Sequence, residues 1–529
     1  MWAAIRLHRN QVTLTLISGL VLTLAFPKVD LGVLAWVAMV PFLIAIRAAN
    51  TRTGFLLGLL FGMAHNLGLF YWTAQTMHTY GHLPMIQALV VLTLLAIYLS
   101  GFQAVFAATI CWLRPRPAHL IFLAPAVWVV LELLRARLFS GFPWALLGYS
   151  QYDHPWVIQI ADLFGVYGIS GLIVLTNTLS ALVLLHWTGR TWRQAAISRR
   201  LLLRGGLVLA VLLLGVNSYG ILRMDTVDRA MRTADKITVT VVQGNIDQAL
   251  KWDAQFQLFT TARYLDLSLE ASTKKVDLVI WPETATPFYF SDGSALSQMV
   301  IKGIQSAKAH FIIGSPSYAE GPERTLFYNS AYMITPQGKI SGRYDKVHLL
   351  PFGEYVPMSR WLPFIKKMVA QVGDFMPGRR GDTLTWSRGE VGMLICYEVI
   401  FPGLSRSMVQ NGADLLVTIT NDAWFGLSSA PYQHFSMAVL RAVENRRSVA
   451  RAANSGISGF IDPNGRVSQT ALFTTTTASQ EVALLKEITH YAQWGDWPMG
   501  LLGFGVLLSF VVTKTYRRPP IFQHWNKEG

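Results

Sequence analysis

Long apolar runs separated by short polar segments fill the first 222 residues of the chain, and one further apolar run lies near the C-terminus. A helix needs about 20 apolar residues to cross a bilayer, so the pattern predicts eight membrane spans, seven in region 1–222 and one in region 497–529. The shorter runs need flanking residues to complete a crossing. The predicted spans are residues 11–26, 31–46, 54–72, 86–113, 120–134, 158–187, 207–222 and 499–512.

Between the seventh and eighth spans, residues 223–496 have the mixed pattern of a water-soluble domain. Short apolar runs bounded by Gly, Pro and Asn predict strands, and the stretches between them predict helices, an alternation typical of a layered α/β domain. Strands are predicted at 237–242, 276–281, 311–314, 331–334, 339–343, 391–395 and 414–420, with a hairpin at 459–467. Helices are predicted at 255–269, 294–309 and 428–447.

The charged residues indicate how the spans are oriented. If the N-terminus is cytoplasmic, the inside segments carry fifteen cations and one acid, Glu528, whereas the short outside loops carry only Lys28, Arg135 and Arg137. This asymmetry predicts cytoplasmic termini and places 223–496 on the far side of the membrane. The inside cations are Arg6, Arg9, Arg47, Arg52, Arg114, Arg116, Arg190, Arg193, Arg199, Arg200, Arg204, Lys514, Arg517, Arg518 and Lys527.

The same asymmetry accounts for the composition. The chain is 52% hydrophobic and 14% charged, with a net charge of +15, whereas soluble domains have about 25% charged residues. Because nearly all of the excess positive charge lies in the inside segments, it is a topology signal, and we expect no nucleic-acid partner. Within the spans, His65 and Asp162 either serve a function or brace the helices, and Arg135 is spaced to pair with Glu132.

Three reactive side chains follow predicted strands in the 223–496 domain. Glu283 and Cys396 each come at the end of a strand, and Lys346 follows a hairpin. Strand ends in α/β domains are places where side chains converge on a cleft. A glutamate base, a lysine that stabilises an oxyanion and a cysteine nucleophile together suit acyl transfer through a thioester, and we expect the lysine to lower the thiol pKa.

Each of these side chains also has a simpler interpretation. A cysteine in an apolar strand is often core filler, a glutamate after Trp-Pro can begin a helix, and a lysine is usually solvated. His348 and His434 are predicted to be structural hydrogen-bonding residues. No group of His, Cys and acidic residues has metal-ligand spacing, so we expect no metal and no cofactor.

Three segments resemble the Glu-Lys-Cys signatures of the nitrilase superfamily. The spacings also fit those of the superfamily: Glu283 and Lys346 are 63 residues apart, and Lys346 and Cys396 are 50 residues apart. A domain of this kind between the seventh and eighth spans is similar to the membrane-embedded branch of the superfamily, the apolipoprotein N-acyltransferases of Gram-negative bacteria. The matching segments are Trp281-Pro282-Glu283, Tyr344-Asp345-Lys346 with Pro351-Phe352-Gly353-Glu354, and Cys396-Tyr397-Glu398.

The resemblance implies an αββα sandwich inserted into an eight-helix transmembrane bundle, in the inner membrane, with a periplasmic catalytic domain. It implies that Cys396 takes the sn-1 acyl chain of a phospholipid and passes it to the α-amine of a diacylglyceryl-cysteine lipoprotein. Glu283 would be the base and Lys346 the oxyanion stabiliser, while Glu354 and Glu398 would orient the lysine and shape the site. We expect the enzyme to act as a monomer.

Apolar loops around this site are candidate lids or walls for an acyl chain. They carry Trp361 and Phe364 in one loop and Trp424 and Phe425 in another; each loop can equally be surface packed on its own domain. Two other functions remain open at this point. One is a membrane-anchored amidase that uses water as acceptor, and the other is a transporter or receptor, which would place polar groups at the middle of the membrane.

Overall fold

The computed structural model describes residues 8–351, 353–355 and 375–516 of the 529. The predicted lid residues Trp361 and Phe364 lie outside the described residues. The helices are α1 Arg9–Leu24, α2 Val40–Ile46, α3 Thr51–Phe70, α4 Trp72–Thr79, α5 Met85–Leu113, α6 Pro117–Arg135, α7 Pro155–Ile158, α8 Ala161–Trp187, α9 Arg199–Thr233, α10 Ala254–Ala271, α11 Ala295–Ala307, α12 Pro402–Gln410, α13 Ala430–Asn445, α14 His490–Trp494 and α15 Trp497–Tyr516.

Among the described residues, five helices are long and apolar enough to cross a membrane, and the protein is therefore a membrane protein. These five helices are α3, α5, α6, α8 and α9. The helix α9 has 35 residues and continues without a break past position 222, where the sequence predicted the end of a span. Its apolar stretch is not covered by other parts of the protein, which leaves that surface free to contact lipid.

The predicted span 31–46 is not one helix. It consists of a short 3-10 turn, Gly32–Trp36, followed by α2, which has Pro41 in its first turn. Proline lacks a backbone N–H and its ring clashes with the preceding turn, so it begins a helix and does not continue one. The prediction of a single helix here was wrong for this reason.

Twelve strands form two six-stranded sheets in the described part of the chain. Their orders are β12-β1-β2-β3-β4-β5 and β11-β10-β9-β8-β7-β6. The strands are β1 Lys236–Gln243, β2 Leu278–Ile280, β3 His310–Glu320, β4 Thr325–Ile334, β5 Ile340–Asp345, β6 Thr383–Trp386, β7 Gly389–Ile395, β8 Leu415–Thr420, β9 Ser448–Ala453, β10 Gly459–Ile461, β11 Val467–Gln469 and β12 Thr476–Ala483.

The sheets form the middle of an α/β sandwich. Alternate residues of β1 such as Val239 and Val241 belong to the same apolar core as Met393 and Val417 of the other sheet. The opposite face of the first sheet carries Val279, which packs under α10 and α11 in a separate apolar cluster, and α12 and α13 pack on the second sheet. Both faces of the first sheet are thus buried, one against the second sheet and the other under α10 and α11, as the layered prediction requires.

The predicted helix 428–447 is too long. The helix α13 ends at Asn445, Arg446 adopts a left-handed conformation with φ of 50°, and the chain turns directly into β9. The strand β9 was not predicted because its sequence, SVARAA, carries an arginine and no run of β-branched residues. It is nevertheless wholly buried between β8 and β10, where Arg451 finds internal partners.

Buried ion pairs join the sandwich to the membrane helices. Asp162, at the start of α8, accepts hydrogen bonds from Arg223 Nε at 2.8 Å and from Arg446 Nη2 at 2.8 Å. Arg441 of α13 reaches the hydroxyl of Tyr149 at 3.0 Å. A buried charge is costly unless it is paired, so these pairs give Asp162 the bracing role that the sequence left open.

Two other polar groups of the spans also have local partners. Glu132 accepts from Trp128 Nε1 at 3.1 Å and from the Leu147 backbone N–H at 2.8 Å. Arg135 donates to the Trp144 carbonyl oxygen at 2.8 Å. Both side chains therefore hold the segment that follows α6, and they also attract each other electrostatically, as their helical spacing predicts.

Candidate active site

The strand directions bring the reactive side chains to one end of the sandwich. The strands β1, β2 and β3 are mutually parallel, and β5 has the same direction because it is two antiparallel steps from β3. In the second sheet β7, β8 and β9 are parallel. Glu283, Lys346 and Cys396 follow β2, β5 and β7, so they meet at the carboxyl ends of the strands.

Lys346 is a buried cation held between two carboxylates. Its side chain is 2% exposed, and Nζ lies 3.0 Å from Glu354 Oε1 and 3.6 Å from Glu283 Oε1. Asn329 of β4 donates from Nδ2 to the same two oxygens, at 2.8 Å each. Burial lowers the pKa of Lys346, but the Glu354 and Glu283 carboxylates outweigh it and raise the pKa overall, so the lysine stays charged.

Glu283 is fixed by groups from both sheets. Its Oε2 accepts from the backbone N–H of Asn421, at the end of β8, at 3.1 Å. Gly314 of β3 lies against its backbone, and a Cβ there would come within 2.7 Å of the Glu283 Cα. A glycine at this position therefore allows the loop that carries the glutamate to lie directly on the sheet. The carboxylate is accordingly pre-positioned for proton transfer.

Cys396 has a strained backbone. It follows directly on β7 with φ of 54°, a left-handed conformation that costs an L-residue about 1–2 kcal/mol. The backbone N–H of Ile395 donates to Glu398 Oε2 at 2.7 Å, which holds the chain on one side of the cysteine. Such strain is characteristic of functional sites because it presents a side chain at a sharp turn.

Burial raises the pKa of the Cys396 thiol, and the Glu283 carboxylate raises it further. Lys346 acts in the lowering direction that the sequence analysis predicted, but it is outweighed. The predicted lowering effect of Lys346 is therefore present, although the net pKa of the thiol is raised. The thiol is protonated in the resting site, so it needs a neighbouring base at the moment of attack.

Glu398 is a buried support for the loop that carries the lysine. Its Oε1 accepts from the backbone N–H groups of Val347 at 2.6 Å and His348 at 3.0 Å, and the Tyr344 hydroxyl lies 3.1 Å from both of its oxygens. Burial raises the pKa of Glu398 to about 7. Since Glu398 also holds Ile395, this carboxyl group joins the end of β7 to the segment after β5.

A second buried lysine, Lys251, lies in the same site. It is 1% exposed, and its Nζ donates to the backbone carbonyl oxygen of Glu283 at 3.0 Å. Burial lowers its pKa to about 8, against the attraction of Glu283 and Cys396. Lys251 thus adds positive charge beside the base and the thiol.

The chain is similar to known proteins over most of its length. Residues 18–179 match the family described as Apolipoprotein N-acyltransferase N-terminal domain, and residues 238–488 match Carbon-nitrogen hydrolase. Apolipoprotein N-acyltransferase of Geobacter metallireducens is 42% identical over 491 residues, 92% of each chain, and that of Methylococcus capsulatus is 33% identical over 500 residues, again 92% of each chain. The solved structure of Saccharomyces cerevisiae Nit3, a member of the nitrilase superfamily, covers 47% of this chain and 90% of its own, with 20% identity and a TM-score of 0.37.

The chain belongs to the apolipoprotein N-acyltransferase family. It is an acyltransferase, and its sandwich is the nitrilase-like domain of this enzyme. The resemblance found in the sequence motifs is thereby confirmed at the level of the family, the fold class and the activity. The number of membrane spans and the roles of single residues stay predictions.

In this acyltransferase the predicted lid residues Trp424 and Phe425 pack against α4 and the residue that follows it. The Trp424 ring meets that of Tyr80, just after α4, at 5.3 Å between centroids, and the Phe425 ring meets that of Trp72 at 5.0 Å. The Trp424 carbonyl oxygen accepts from the Thr76 hydroxyl at 2.9 Å. The loop that begins at the end of β8 is thus docked on α4.

The structure brings together Glu283, Lys346, Cys396, Glu354 and Glu398, which are all the predicted acidic, basic and thiol residues of the site. Sequence reasoning missed Lys251 and Asn329. Neither lies in a matched motif: Lys251 reaches the site from the segment between β1 and α10, and Asn329 reaches it from within β4. A signal existed only for Asn329, a polar residue within the otherwise mainly apolar β4.

Proposed function

We propose that this acyltransferase transfers the sn-1 acyl chain of a phospholipid to the α-amine of a diacylglyceryl-cysteine lipoprotein, through a thioester on Cys396. The observation that carries the proposal is the buried cluster in which Lys346 contacts both Glu354 and Glu283, beside a strained cysteine. The names of the relatives support the lipoprotein as acceptor.

In the first half-reaction the Cys396 sulfur attacks the ester carbonyl carbon of the phospholipid. Glu283 takes the thiol proton, which a raised thiol pKa makes necessary. The oxyanion that forms is stabilised by the Lys346 ammonium, whose charge the two glutamates maintain. Collapse of the intermediate breaks the ester C–O bond, and Glu283 returns the proton to the leaving lysophospholipid oxygen.

In the second half-reaction the free amine of the lipoprotein attacks the thioester carbonyl. Glu283 takes a proton from the amine nitrogen, Lys346 again stabilises the oxyanion, and the C–S bond breaks with the proton returning to the sulfur. The products are an amide-linked third acyl chain and free Cys396. Glu354 and Glu398 act in both steps by holding the lysine and its loop.

The loop of Trp424 and Phe425 forms one wall for the acyl chain. Its rings lie against α4, which follows directly on the membrane helix α3. Phospholipid and lipoprotein both reside in the bilayer, so a site bounded by such apolar groups receives its substrates laterally and keeps water from the thioester. Trp361 and Phe364 are proposed to contribute in the same way.

We further propose that the enzyme is a monomer of the inner membrane with eight spans, cytoplasmic termini and a periplasmic domain at 223–496. The distribution of basic residues supports this orientation. Activity of a periplasmic reporter inserted at an exposed turn of that domain, such as residues 321–324, tests it. An inactive periplasmic reporter together with an active cytoplasmic one contradicts the orientation.

Intact mass spectrometry tests the mechanism. Purified protein incubated with phospholipid is expected to gain the mass of one acyl group, labile to hydroxylamine, and Cys396→Ala is expected to gain none. Cys111→Ala is the matched control, because the other cysteine of the chain is buried among the membrane helices and should not be acylated. A folded wild type that stays unmodified contradicts the thioester.

The acceptor is tested on the isolated acyl-enzyme. A diacylglyceryl-cysteine peptide with a free α-amine is expected to discharge it within one turnover and to gain the acyl mass, whereas the same peptide with an acetylated amine is not. Discharge to water at the same rate in both cases favours the amidase alternative.

A further inference from the structure

The backbone carbonyl of Cys396 is held by a histidine from another element. His434, in the first turns of α13, places Nε2 3.1 Å from the Cys396 carbonyl oxygen. A carbonyl oxygen can only accept a hydrogen bond, so the proton must be on Nε2. The matched motifs contain no histidine, and the sequence predicts only a structural hydrogen bond for His434.

The opposite ring nitrogen is fixed by charged groups. Arg451 Nη2 lies 2.9 Å from His434 Nδ1 and 2.7 Å from Asp422 Oδ2. Arginine can only donate, so Nδ1 accepts from Arg451 when the ring is neutral. Asp422, whose Oδ1 is 3.1 Å from Nδ1, compensates the guanidinium charge. Burial and Arg451 lower the pKa of His434 against the opposing effect of Asp422, which favours the neutral ring with its proton on Nε2.

The plane of the His434 ring is also fixed. The Trp144 indole stacks on it, with 5.4 Å between centroids and 10° between planes, and the Phe425 ring meets its edge at 6.1 Å. Trp144 comes from the segment after the membrane helix α6, and it donates from Nε1 to the neighbouring Gln433 at 2.9 Å. His434 is fully buried and has no freedom to turn away from Cys396.

From these contacts we propose that His434 is a positioning residue that holds the strained Cys396 peptide in its reactive orientation. This inference rests on the proposed function, in which Cys396 is the nucleophile. Two hydrogen bonds bracket the left-handed residue: Ile395 N–H to Glu398 on one side, and His434 to the Cys396 carbonyl on the other. Without the second one, the peptide after Cys396 relaxes toward an unstrained conformation and the thiol turns away from Glu283 and Lys346.

Two amide substitutions separate this role from packing. The side-chain amide nitrogen of glutamine reaches the position of Nε2, whereas that of asparagine reaches only the position of Nδ1. His434→Gln therefore keeps the donor to Cys396, and His434→Asn loses it at similar polarity. Loss of one hydrogen bond to a buried carbonyl predicts a fall of roughly tenfold to a hundredfold in acyl-enzyme formation for His434→Asn.

The experiment measures single-turnover acyl-enzyme formation by intact mass, with the full chain in mixed micelles of detergent and phosphatidylethanolamine at several lipid concentrations. His434→Asn is expected to lower the maximal rate at unchanged half-saturating lipid concentration, and His434→Gln to stay within about threefold of wild type. Equal losses in both variants, or a wild-type rate in His434→Asn, overturn the inference. If His434→Asn does not fold, His434→Gln decides: a retained rate supports the inference and a lost rate overturns it.

Cys396→Ala keeps the two proposals distinguishable. If it still transfers acyl groups, the proposed function fails, whatever the histidine variants do. If it is inactive while His434→Asn reacts at the wild-type rate, only the role of His434 fails. Thermal unfolding of each variant shows that the rates come from folded protein.

Discussion

Nζ of Lys346 lies closer to Glu354 than to Glu283, at 3.0 Å against 3.6 Å. The proposed base is therefore not the lysine's main partner, and Glu283 remains able to take a proton. Glu354 draws the cation towards itself and leaves the base only loosely paired. Glu354 thus pairs with the lysine while Glu283 takes the proton, and the first prediction tests this difference.

Glu354→Gln is expected to lower acyl-enzyme formation at least a hundredfold. Without the Glu354 charge, Glu283 is the sole charge partner of the buried Lys346 ammonium. That close pairing stabilises the Glu283 carboxylate against protonation, so Glu283 is a weaker base for the thiol proton. The measurement is the single-turnover rate with phospholipid. Glu320→Gln is the matched control, since Glu320 is at the outer end of β3, and a comparable loss there would contradict the assignment.

The pH dependence of thiol alkylation is a second prediction. Because the pKa of Cys396 is raised, its reaction with iodoacetamide should still accelerate with pH well above about 8.5, the ordinary thiol pKa. Glu283→Gln removes a charge that raises this pKa, so its profile should move to lower pH although acyl transfer is lost. Lys346→Met should move the profile to higher pH.

Peptide mapping assigns the alkylation to Cys396 and not to Cys111. A plateau in the wild-type alkylation rate already near pH 8 would show that the pKa of the Cys396 thiol is not raised. A Glu283→Gln profile unchanged from wild type would show that the glutamate does not act on the thiol in the resting site.

Lys251→Met is expected to lower acyl-enzyme formation roughly tenfold, while the protein remains folded. The change leaves the Glu283 carbonyl without its donor and removes a positive charge beside the base and the thiol. Removing a buried ammonium also removes its desolvation cost, so we expect the variant to fold. The measurement is the single-turnover rate together with thermal unfolding, and Lys302→Met on the surface of α11 is the control. A full rate would exclude Lys251 from the mechanism.

Trp424→Ala is expected to raise the half-saturating phospholipid concentration more than it lowers the maximal rate. The ring packs on Tyr80 and lies in the proposed wall for the acyl chain, so its loss removes binding that is equal in the ground and transition states. Phe259→Ala, which truncates an exposed ring on α10, is the control. A pure loss of maximal rate in Trp424→Ala would contradict the wall.

Asp162→Ala is expected to destabilise the protein by about 3–5 kcal/mol, because it leaves Arg446 buried without a charge partner. Asp225→Ala breaks an exposed pair with Arg229 on α9 and should change the stability by less than about 1 kcal/mol. Thermal unfolding in detergent compares the two. Similar unfolding temperatures for both variants would show that the Asp162 pairs do not hold the sandwich to the membrane helices.

The strands that alternate apolar and polar residues, or that form apolar runs, were predictable. β1 and β8 are examples, since burial on the sheet faces imposes a local pattern. β9 and β12 were missed because an arginine in one and threonines in the other mask that pattern. Arg451 is tolerated in a buried strand because Asp422 pairs with it. This partner is 29 residues away along the chain, so no local sequence pattern predicts it.

The sequence alone determined the class of the protein: the apolar runs, the soluble segment between them, and a glutamate, a lysine and a cysteine at three strand ends. The tertiary structure decided which carboxylate pairs with Lys346, that Lys251 and Asn329 join the site, and that His434 holds the left-handed Cys396. The physical reason is that burial and periodicity depend on the types of residues that are neighbours along the chain. Charge pairing and backbone strain depend on contacts between segments far apart along the chain.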